Sequence, residues 1–205
     1  MFFGGGNITA RIAELLLSLP AVLWAITFHE FCNGYAAMKL GDPTAKLDGR
    51  LSLNPMHHLD PLGALSLLLF RFGWAKPVPI NPGYFKNPRR DMVIVSLAGA
   101  GGNILTAFVC AQLVKFFPVL FQTYAAQQFI LIMIYMNVGL AAFNLLPIPP
   151  LDGSRILYVL LPYKYMHIYY TLEKYGMFVI LGLIVLGVIP VLMNPLMTLI
   201  LSIIM

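Results

Sequence analysis

Two short segments, far apart in the chain, carry the side chains whose types and spacing could do chemistry. The first, TFHEFCNGYAA over residues 27–37, contains His29, Glu30 and, four residues after the histidine, Asn33. The second, FNLLPIPPLDGSRIL over residues 143–157, contains Asp152. Residues four apart lie on one face of a helix, so His29 and Asn33 are expected to face the same way. Imidazole and carboxylate groups can hold a divalent cation, and a neighbouring glutamate can act as a general base.

Both segments lie in or beside apolar runs, where an ionised side chain is costly. Placing a charge near the centre of a membrane helix costs roughly 2.5–3.5 kcal/mol. Glu30 precedes Lys39 by nine residues, or about 13 Å of helix. A metal ion or a water-filled cavity would offset that cost, but pairing of His29 and Glu30 inside a helix bundle is an equally good explanation of these two residues alone. Asp152 could also cap a helix that begins near Ser154, a role compatible with metal binding.

The composition indicates a membrane protein that spans the bilayer several times. Of the 205 residues, 60% are hydrophobic and 10% charged, against about 25% charged in soluble domains. The mean hydropathy is +0.82. The net charge of +5 does not indicate nucleic-acid binding, because the basic residues lie between apolar runs. Cys32 and Cys110 lie inside apolar stretches, which indicates that they are small buried residues rather than partners in a disulfide. One domain over residues 1–205 is expected.

Four uncharged or nearly uncharged runs are long enough to span a bilayer as helices: 15–38, 92–114, 125–146 and 175–205. The last is expected to form one span or a hairpin, because Pro190 and Pro195 interrupt it. Residues 61–70 are too few to span and predict a re-entrant segment. The prolines of residues 74–85 and the segment 47–55 favour a short extended or β hairpin. The fold class is therefore an all-α polytopic membrane protein with about four to five transmembrane helices.

The basic residues predict which side of the membrane each connection occupies. Eight of the 13 lysines and arginines lie between Lys39 and Asp91, and three more lie between Arg155 and Lys174. The positive-inside rule places both segments in the cytoplasm and the N-terminus outside. No cleavable signal peptide precedes the first span, so that helix is expected to remain. The expected location is the plasma membrane of a prokaryote.

The two segments together resemble the site-2 protease family of intramembrane zinc metalloproteases, in its compact form. That family carries His-Glu-x-x-His on one helix and Asn-x-x-Pro-x-x-x-Leu-Asp-Gly on a later one. The second pattern is matched at every position, by Asn144, Pro147, Leu151, Asp152 and Gly153. The resemblance covers about residues 28–156 and includes LNPMHHLDPLGAL, FGWAKPVPINPGYFKNPRRDM and SLAGAGGN.

The resemblance implies a Zn²⁺ site held by His29, the residue at position 33 and Asp152, with Glu30 as the general base. Asn33 replaces the second motif histidine, and a neutral amide oxygen is a weaker zinc donor than imidazole. Cys32 or His58 could be an additional zinc ligand. The favoured interpretation, however, is that Cys32 is a small buried residue and that His58 is an interfacial histidine.

Further polar residues are candidates for contact with an extended peptide. Asn144 precedes the aspartate loop, and Asn103 lies one turn after Gly99 on a glycine-rich helix; both are predicted to bind substrate. The proline-rich edge 76–80 could pair with an unwound substrate by strand addition. The expected partners are a transmembrane protein or peptide and the lipid bilayer, and the oligomeric state is open.

The leading hypothesis is an intramembrane zinc endopeptidase that cuts near the cytoplasmic face and whose turnover is impaired by Asn33. The asparagine could be an introduced substitution, a natural loss of activity, or a sign that another group completes the site. The alternatives are a non-catalytic client-binding protein of the same fold and, less favoured, a metal-ion transporter. A transporter often shows two similar halves, and this sequence has no internal repeat.

Overall fold

The computed structural model describes residues 8–61, 63 and 75–205. The predicted re-entrant segment 61–70 lies almost entirely outside these residues. Helix α1 (Ile8–Lys39) covers the predicted first span and carries His29, Glu30 and Asn33 in its last third. It ends in a Schellman motif, in which Asp42 N–H donates to the Ala37 carbonyl and Gly41 N–H to the Met38 carbonyl. Gly41 has φ +111°, which suits glycine because it has no Cβ.

The connection after α1 contains a short helix, α2 (Thr44–Leu47), and 3₁₀ turns at Pro55–His57 and Pro82–Tyr84. The predicted hairpin is reduced, in the described residues, to one antiparallel bridge between Leu59 and Ala75, with Lys76 N–H donating to the His58 carbonyl. Pro77 and Pro79 have no N–H with which to extend this pairing, so the segment is extended without forming a ladder.

Helices α3 (Pro88–Phe116) and α4 (Tyr124–Asn144) form the second and third predicted spans. Pro88 occupies the first turn of α3, where its missing N–H removes no hydrogen bond. Asp91, also in that turn, accepts a hydrogen bond from Asn87 N–H and is buried. Thr123 caps α4 by accepting from Ala126 N–H. Helices α1, α3 and α4 pack against one another and provide most of the site.

Three further helices follow: α5 (Ser154–Leu160), α6 (Met166–Val185) and α7 (Val188–Ile204). The uncharged run 175–205 is therefore divided, but at Gly187 (φ +70°) rather than at a proline. Pro190 fits within the first turn of α7, where no intrahelical bond is lost. Pro195 lies inside α7.

Within the described residues, three helices (α3, α4 and α6) are long and apolar enough to cross a membrane, and α7 is a shorter apolar helix. The largest core cluster joins α3, α4 and α7 through small and branched side chains such as Ala107, Val138 and Ile200. Many large apolar side chains are nevertheless exposed, among them Phe108, Phe178 and Leu199. An apolar exterior around a packed interior is expected of helices surrounded by lipid, which confirms the predicted fold class.

Gly176 lets α6 approach the proline loop that ends at Asp152. A Cβ on Gly176 would collide with the Pro149 carbonyl and lie 2.6 Å from Pro150 Cδ, whereas one on exposed Gly182 would meet nothing within 4 Å. Gly176→Ala should therefore destabilise the fold by about 1–3 kcal/mol. Gly182→Ala, on the same helix, should be neutral or slightly stabilising because alanine favours helix. Thermal unfolding in detergent measures both, and equal midpoints for the two variants would contradict the proposed close packing.

Candidate metal centre

The site forms where α1 meets the loop that precedes α5. His29 Nε2 lies 2.9 Å from Asp152 Oδ2, although 123 residues separate the two in sequence. The loop is held in place by Gly153 N–H, which donates to the Asn144 carbonyl at 2.6 Å, and by Leu151, which is buried against α6 and α7. An imidazole nitrogen and a carboxylate oxygen approach this closely only with a proton or a cation between them.

Asn33 reaches the same carboxylate from one helical turn further along α1. Its Nδ2 donates to Asp152 Oδ2 at 3.1 Å, and its Oδ1 accepts from Gly99 N–H at 2.8 Å. The amide therefore bridges the aspartate loop and α3. In this arrangement its oxygen is occupied by Gly99, and its NH₂ group occupies the place next to Asp152 where the family pattern has an imidazole.

The second ring nitrogen of His29, Nδ1, contacts a buried amide. His29 Nδ1 lies 2.7 Å from Asn103 Oδ1. Asn103 Nδ2 donates to the Ala25 carbonyl and to Asn137 Oδ1, both at 2.9 Å. Asn103 has no exposed surface and does not line the cavity described below, so here it contacts the histidine rather than the space open to a ligand.

Glu30 lies next to His29 on α1 and contacts the proline-rich segment instead of the aspartate loop. Its Oε2 accepts a hydrogen bond from Val78 N–H at 2.8 Å. Arg50 also holds this segment, because its guanidinium donates to the carbonyls of Lys76 at 2.7 Å and Pro77 at 3.3 Å. The predicted general base is thus anchored between the two candidate metal ligands and the predicted substrate-binding edge.

A cavity of about 250 Å³ opens beside these groups. Its lining comes from α1, the proline-rich segment, the end of α4, the aspartate loop and α6: Ile26, His29, Glu30, Ala75, Pro77, Leu140, Phe143, Asn144, Pro150, Leu151, Asp152, Met177 and Ile180. Of the two residues predicted to bind substrate, Asn144 lines this cavity and Asn103 does not.

Cys32 and His58 lie elsewhere. Cys32 Sγ packs against α3, where a Cβ on Gly102 would be only 2.5 Å from it. Both cysteines are free. The His58 ring is buried against the Ser52 carbonyl, 2.8 Å from Nε2, and burial lowers its pKa. Neither Cys32 nor His58 lines the cavity.

Two of the side chains at the site, His29 and Asp152, are suitable ligands for a divalent metal ion, whereas the third, Asn33, is a weak one. His29 Nε2 and the Asp152 carboxylate are strong donors that converge on one point. In the part of the chain that the structure describes, no third histidine, cysteine, aspartate or glutamate joins them to form a metal-binding group. A catalytic zinc site normally has three protein ligands. The third side chain at Asp152 is Asn33, which presents its NH₂ group there.

Comparison with known proteins identifies the chain's relatives. Residues 120–187 match Peptidase family M50. "Putative zinc metalloprotease YwhC" of Bacillus subtilis (strain 168) is 43% identical over 171 residues, which cover 78% of this chain and 76% of that protein. "Putative zinc metalloprotease Rip2" of Mycolicibacterium smegmatis is 29% identical over 69% of this chain, and that of Mycobacterium tuberculosis H37Rv is 28% identical over 72%. These matches cover 56% and 58% of the two mycobacterial proteins. No solved structure matches the chain.

The chain belongs to Peptidase family M50, the site-2 protease family that its motifs resemble, and this is a family of metalloproteases. Its apolar helices and its family together define an integral membrane protein.

Three functional contacts were missed by reasoning from the sequence: Asn137, Gly99 and Val78. Asn137 had a signal, because it is a polar residue within the uncharged run 125–146, and polar residues inside spans usually have a partner. Gly99 belongs to a glycine-rich stretch that indicated close packing without indicating its partner. Val78 contacts Glu30 through its backbone N–H, which side-chain identity does not reveal.

Gly99 keeps α1 and α3 close enough for the site to form. A Cβ there would lie 2.5 Å from Asn33 Oδ1 and 2.6 Å from His29 Nε2, whereas one on exposed Gly101 would meet nothing within 4 Å. Gly99→Ala should separate the two helices, and Cys32, which packs against α3, should react several-fold faster with a membrane-permeant maleimide. Gly101→Ala is the matched control, with Cys110 as the internal reference. Equal rates for Cys32 in the two variants would show that Gly99 does not set the helix spacing.

Proposed function

We propose that the chain is an intramembrane zinc endopeptidase that hydrolyses a peptide bond of membrane-spanning substrates near the cytoplasmic face, with turnover impaired by Asn33. The observation that carries the proposal is the contact of His29 with Asp152 beside Glu30, on the wall of a cavity within a bundle of apolar helices. The relatives are named as zinc metalloproteases, which supports Zn²⁺ as the cofactor. They are bacterial, which supports a prokaryotic plasma membrane.

His29 Nε2 and the Asp152 carboxylate would hold the zinc ion, with Asn33 as the weak third contact. Bound zinc would supply a more acidic water and polarise the scissile carbonyl. Glu30 is the base in reach of the cavity: its carboxylate would take a proton from that water and return it to the leaving amine. The Val78 N–H holds one carboxylate oxygen of Glu30, which fixes the direction in which the other can face.

Substrate would enter the cavity as an extended segment, because a peptide bond within a helical span becomes accessible only when the helix unwinds. Asn144, at the end of α4, lines the cavity and carries an amide that could bind the peptide backbone; its Nδ2 also donates to the Leu140 carbonyl at 3.1 Å. Ala75 and Pro77 line the opposite wall, which supports pairing of substrate with the segment 76–80. The position of Glu30, about 13 Å of helix from Lys39, supports cleavage near the basic, cytoplasmic side.

Asn33→His is the change that tests the proposal. The new imidazole would add the third strong ligand, so zinc affinity should rise by at least about 10-fold, the lower limit found even for changes around metal ligands. Cleavage of a model single-span substrate should appear or increase with it. Glu30→Gln in the same background should retain zinc and lose about 10²–10⁴-fold in cleavage rate. Zinc titration and cleavage in proteoliposomes measure the two effects separately.

The two rival functions correspond to different results of the same experiment. If the Asn33→His variant binds zinc and a membrane-spanning peptide but does not cleave it, the chain is a client-binding protein of this fold. If vesicles containing the chain accumulate zinc without peptide cleavage, it is a transporter. Cleavage that depends on both Asn33→His and Glu30 supports a protease that Asn33 disables.

The segment 76–80 generates a second prediction. Pro77 is exposed and lines the cavity, so Pro77→Asp should slow cleavage by the Asn33→His chain by placing a charge where an apolar substrate would pair. Zinc affinity should be unchanged, because Pro77 is not one of the candidate ligands. Pro82→Asp, an exposed proline of the same connection that does not line the cavity, is the control. Equal cleavage by the two variants would exclude substrate pairing at this edge.

A further inference from the structure

A row of buried amides connects the His29 ring to the backbone of two helices. Asn103 on α3 and Asn137 on α4 are both fully buried, in the apolar region where α1, α3 and α4 meet. Leaving an amide without partners in such surroundings is unfavourable, so each hydrogen bond in the row has consequences for the next. The row ends at Nδ1 of the histidine whose Nε2 faces Asp152.

The direction of every hydrogen bond in the row follows from two backbone carbonyls, which can only accept. Asn137 Nδ2 donates to the Met133 carbonyl at 2.8 Å, so Asn137 presents its oxygen to Asn103. Asn103 Nδ2 donates both to that oxygen and to the Ala25 carbonyl. The amide nitrogen of Asn103 is therefore identified by two acceptors, and the atom 2.7 Å from the His29 ring is its oxygen.

An amide oxygen can only accept, so the ring nitrogen it faces must carry hydrogen. We propose that Asn137 and Asn103 are positioning residues that keep a hydrogen on Nδ1 of His29, so that Nε2 is the ring nitrogen left for a cation beside Asp152. In the metal-free chain a proton between Nε2 and Asp152 Oδ2 takes the place of that cation. Asn137 acts only through Asn103. The inference rests on the proposed function for its consequence, metal binding, but the position of the hydrogen is a property of the metal-free chain.

The proposal explains why two amides, rather than two apolar side chains, lie in the interior of the bundle. A metal-bound histidine usually donates its other ring N–H to a fixed acceptor, and loss of that acceptor commonly weakens metal binding about 10–100-fold. Without Asn103, no acceptor would hold a hydrogen at Nδ1, so a neutral ring would carry its only hydrogen on Nε2, the nitrogen that a cation beside Asp152 needs. That hydrogen would have to move to Nδ1, where it would have no partner, before Nε2 could bind a cation.

The first test uses the metal-free chain and ¹⁵N-labelled histidine in detergent micelles. A slowly exchanging imidazole N–H at Nδ1 of His29 is expected in the unaltered chain and should disappear in Asn103→Leu. Thr106→Val is the matched control: one turn further along α3 it removes two side-chain hydrogen bonds, the one that Thr106 Oγ1 donates to the Gly102 carbonyl and the one that it accepts from Trp24 Nε1, and it should leave the signal in place. A His29 ring with its hydrogen on Nε2 alone in the unaltered chain would overturn the proposal whether or not the chain binds zinc.

The second test measures Zn²⁺ affinity in the Asn33→His chain by competition with a chelating dye. Asn103→Leu should weaken binding about 10–100-fold, Asn137→Leu should weaken it less, and Thr106→Val should change it by no more than about twofold. Because Asn137 acts through Asn103, the double variant should bind as Asn103→Leu does, rather than showing the product of the two effects. Should Asn103→Leu not fold, Asn137→Leu, which leaves the His29–Asn103 contact in place, still tests the row by both readouts.

Two failures are distinguishable. If the Asn33→His chain binds no zinc, the proposed function is wrong, while the nitrogen spectrum still decides where the hydrogen lies. If the chain binds zinc and both leucine variants bind it equally well, the proposed function stands and the positioning role is wrong.

Discussion

The contact between His29 and Asp152 is the constraint on which the rest of the site depends. It joins α1 to a loop more than a hundred residues later, and it brings an imidazole and a carboxylate together where most neighbours are apolar. In such surroundings the two groups need a proton or a cation between them, since leaving either unpaired would cost several kcal/mol. The packing of α1, α3 and α4, and the glycines that permit it, can be understood as the means of holding this contact. Gly99 sets the distance between α1 and α3 at the histidine, and Gly176 sets the distance between α6 and the loop that carries the aspartate.

The sequence predicted the parts of the molecule that follow from local patterns. Apolar runs predicted α3 and α4 nearly at their observed bounds, and they predicted the end of α1 but not its start, which lies seven residues before the predicted run. The spacing of His29 and Asn33 placed both on one face of α1. The division of the last run was harder, because prolines usually mark a break, and here the break is a glycine with positive φ while Pro190 fits into a first helical turn. The hairpin after α1 was overestimated for a related reason: prolines favour extended backbone but cannot continue a ladder of hydrogen bonds.

Contacts between distant elements were the part that local patterns could not supply. Asn103 was singled out as polar, yet only the fold shows that its oxygen faces His29 and that no part of it is exposed. The Val78 N–H, which holds Glu30, belongs to the backbone and has no signature in side-chain identity. The family motif, by contrast, linked Asp152 to His29 across the chain, because it records which distant residues meet in related proteins.

Asn33 shows how the same fold can be satisfied without a third strong ligand. Its amide donates to Asp152 and accepts from Gly99, so both of its polar atoms have partners and neither the aspartate loop nor α3 is left with an unpaired group there. A hydrophobic residue of similar size would remove the donor that Asp152 uses and leave the carboxylate less well paired, at a cost of about 1–3 kcal/mol. An asparagine at this position therefore keeps the cavity, Glu30 and the loop in place. Under the proposed function this would separate substrate binding from turnover: the walls of the site depend on hydrogen bonds that the amide makes, whereas the proposed chemistry depends on a third ligand that the amide does not supply.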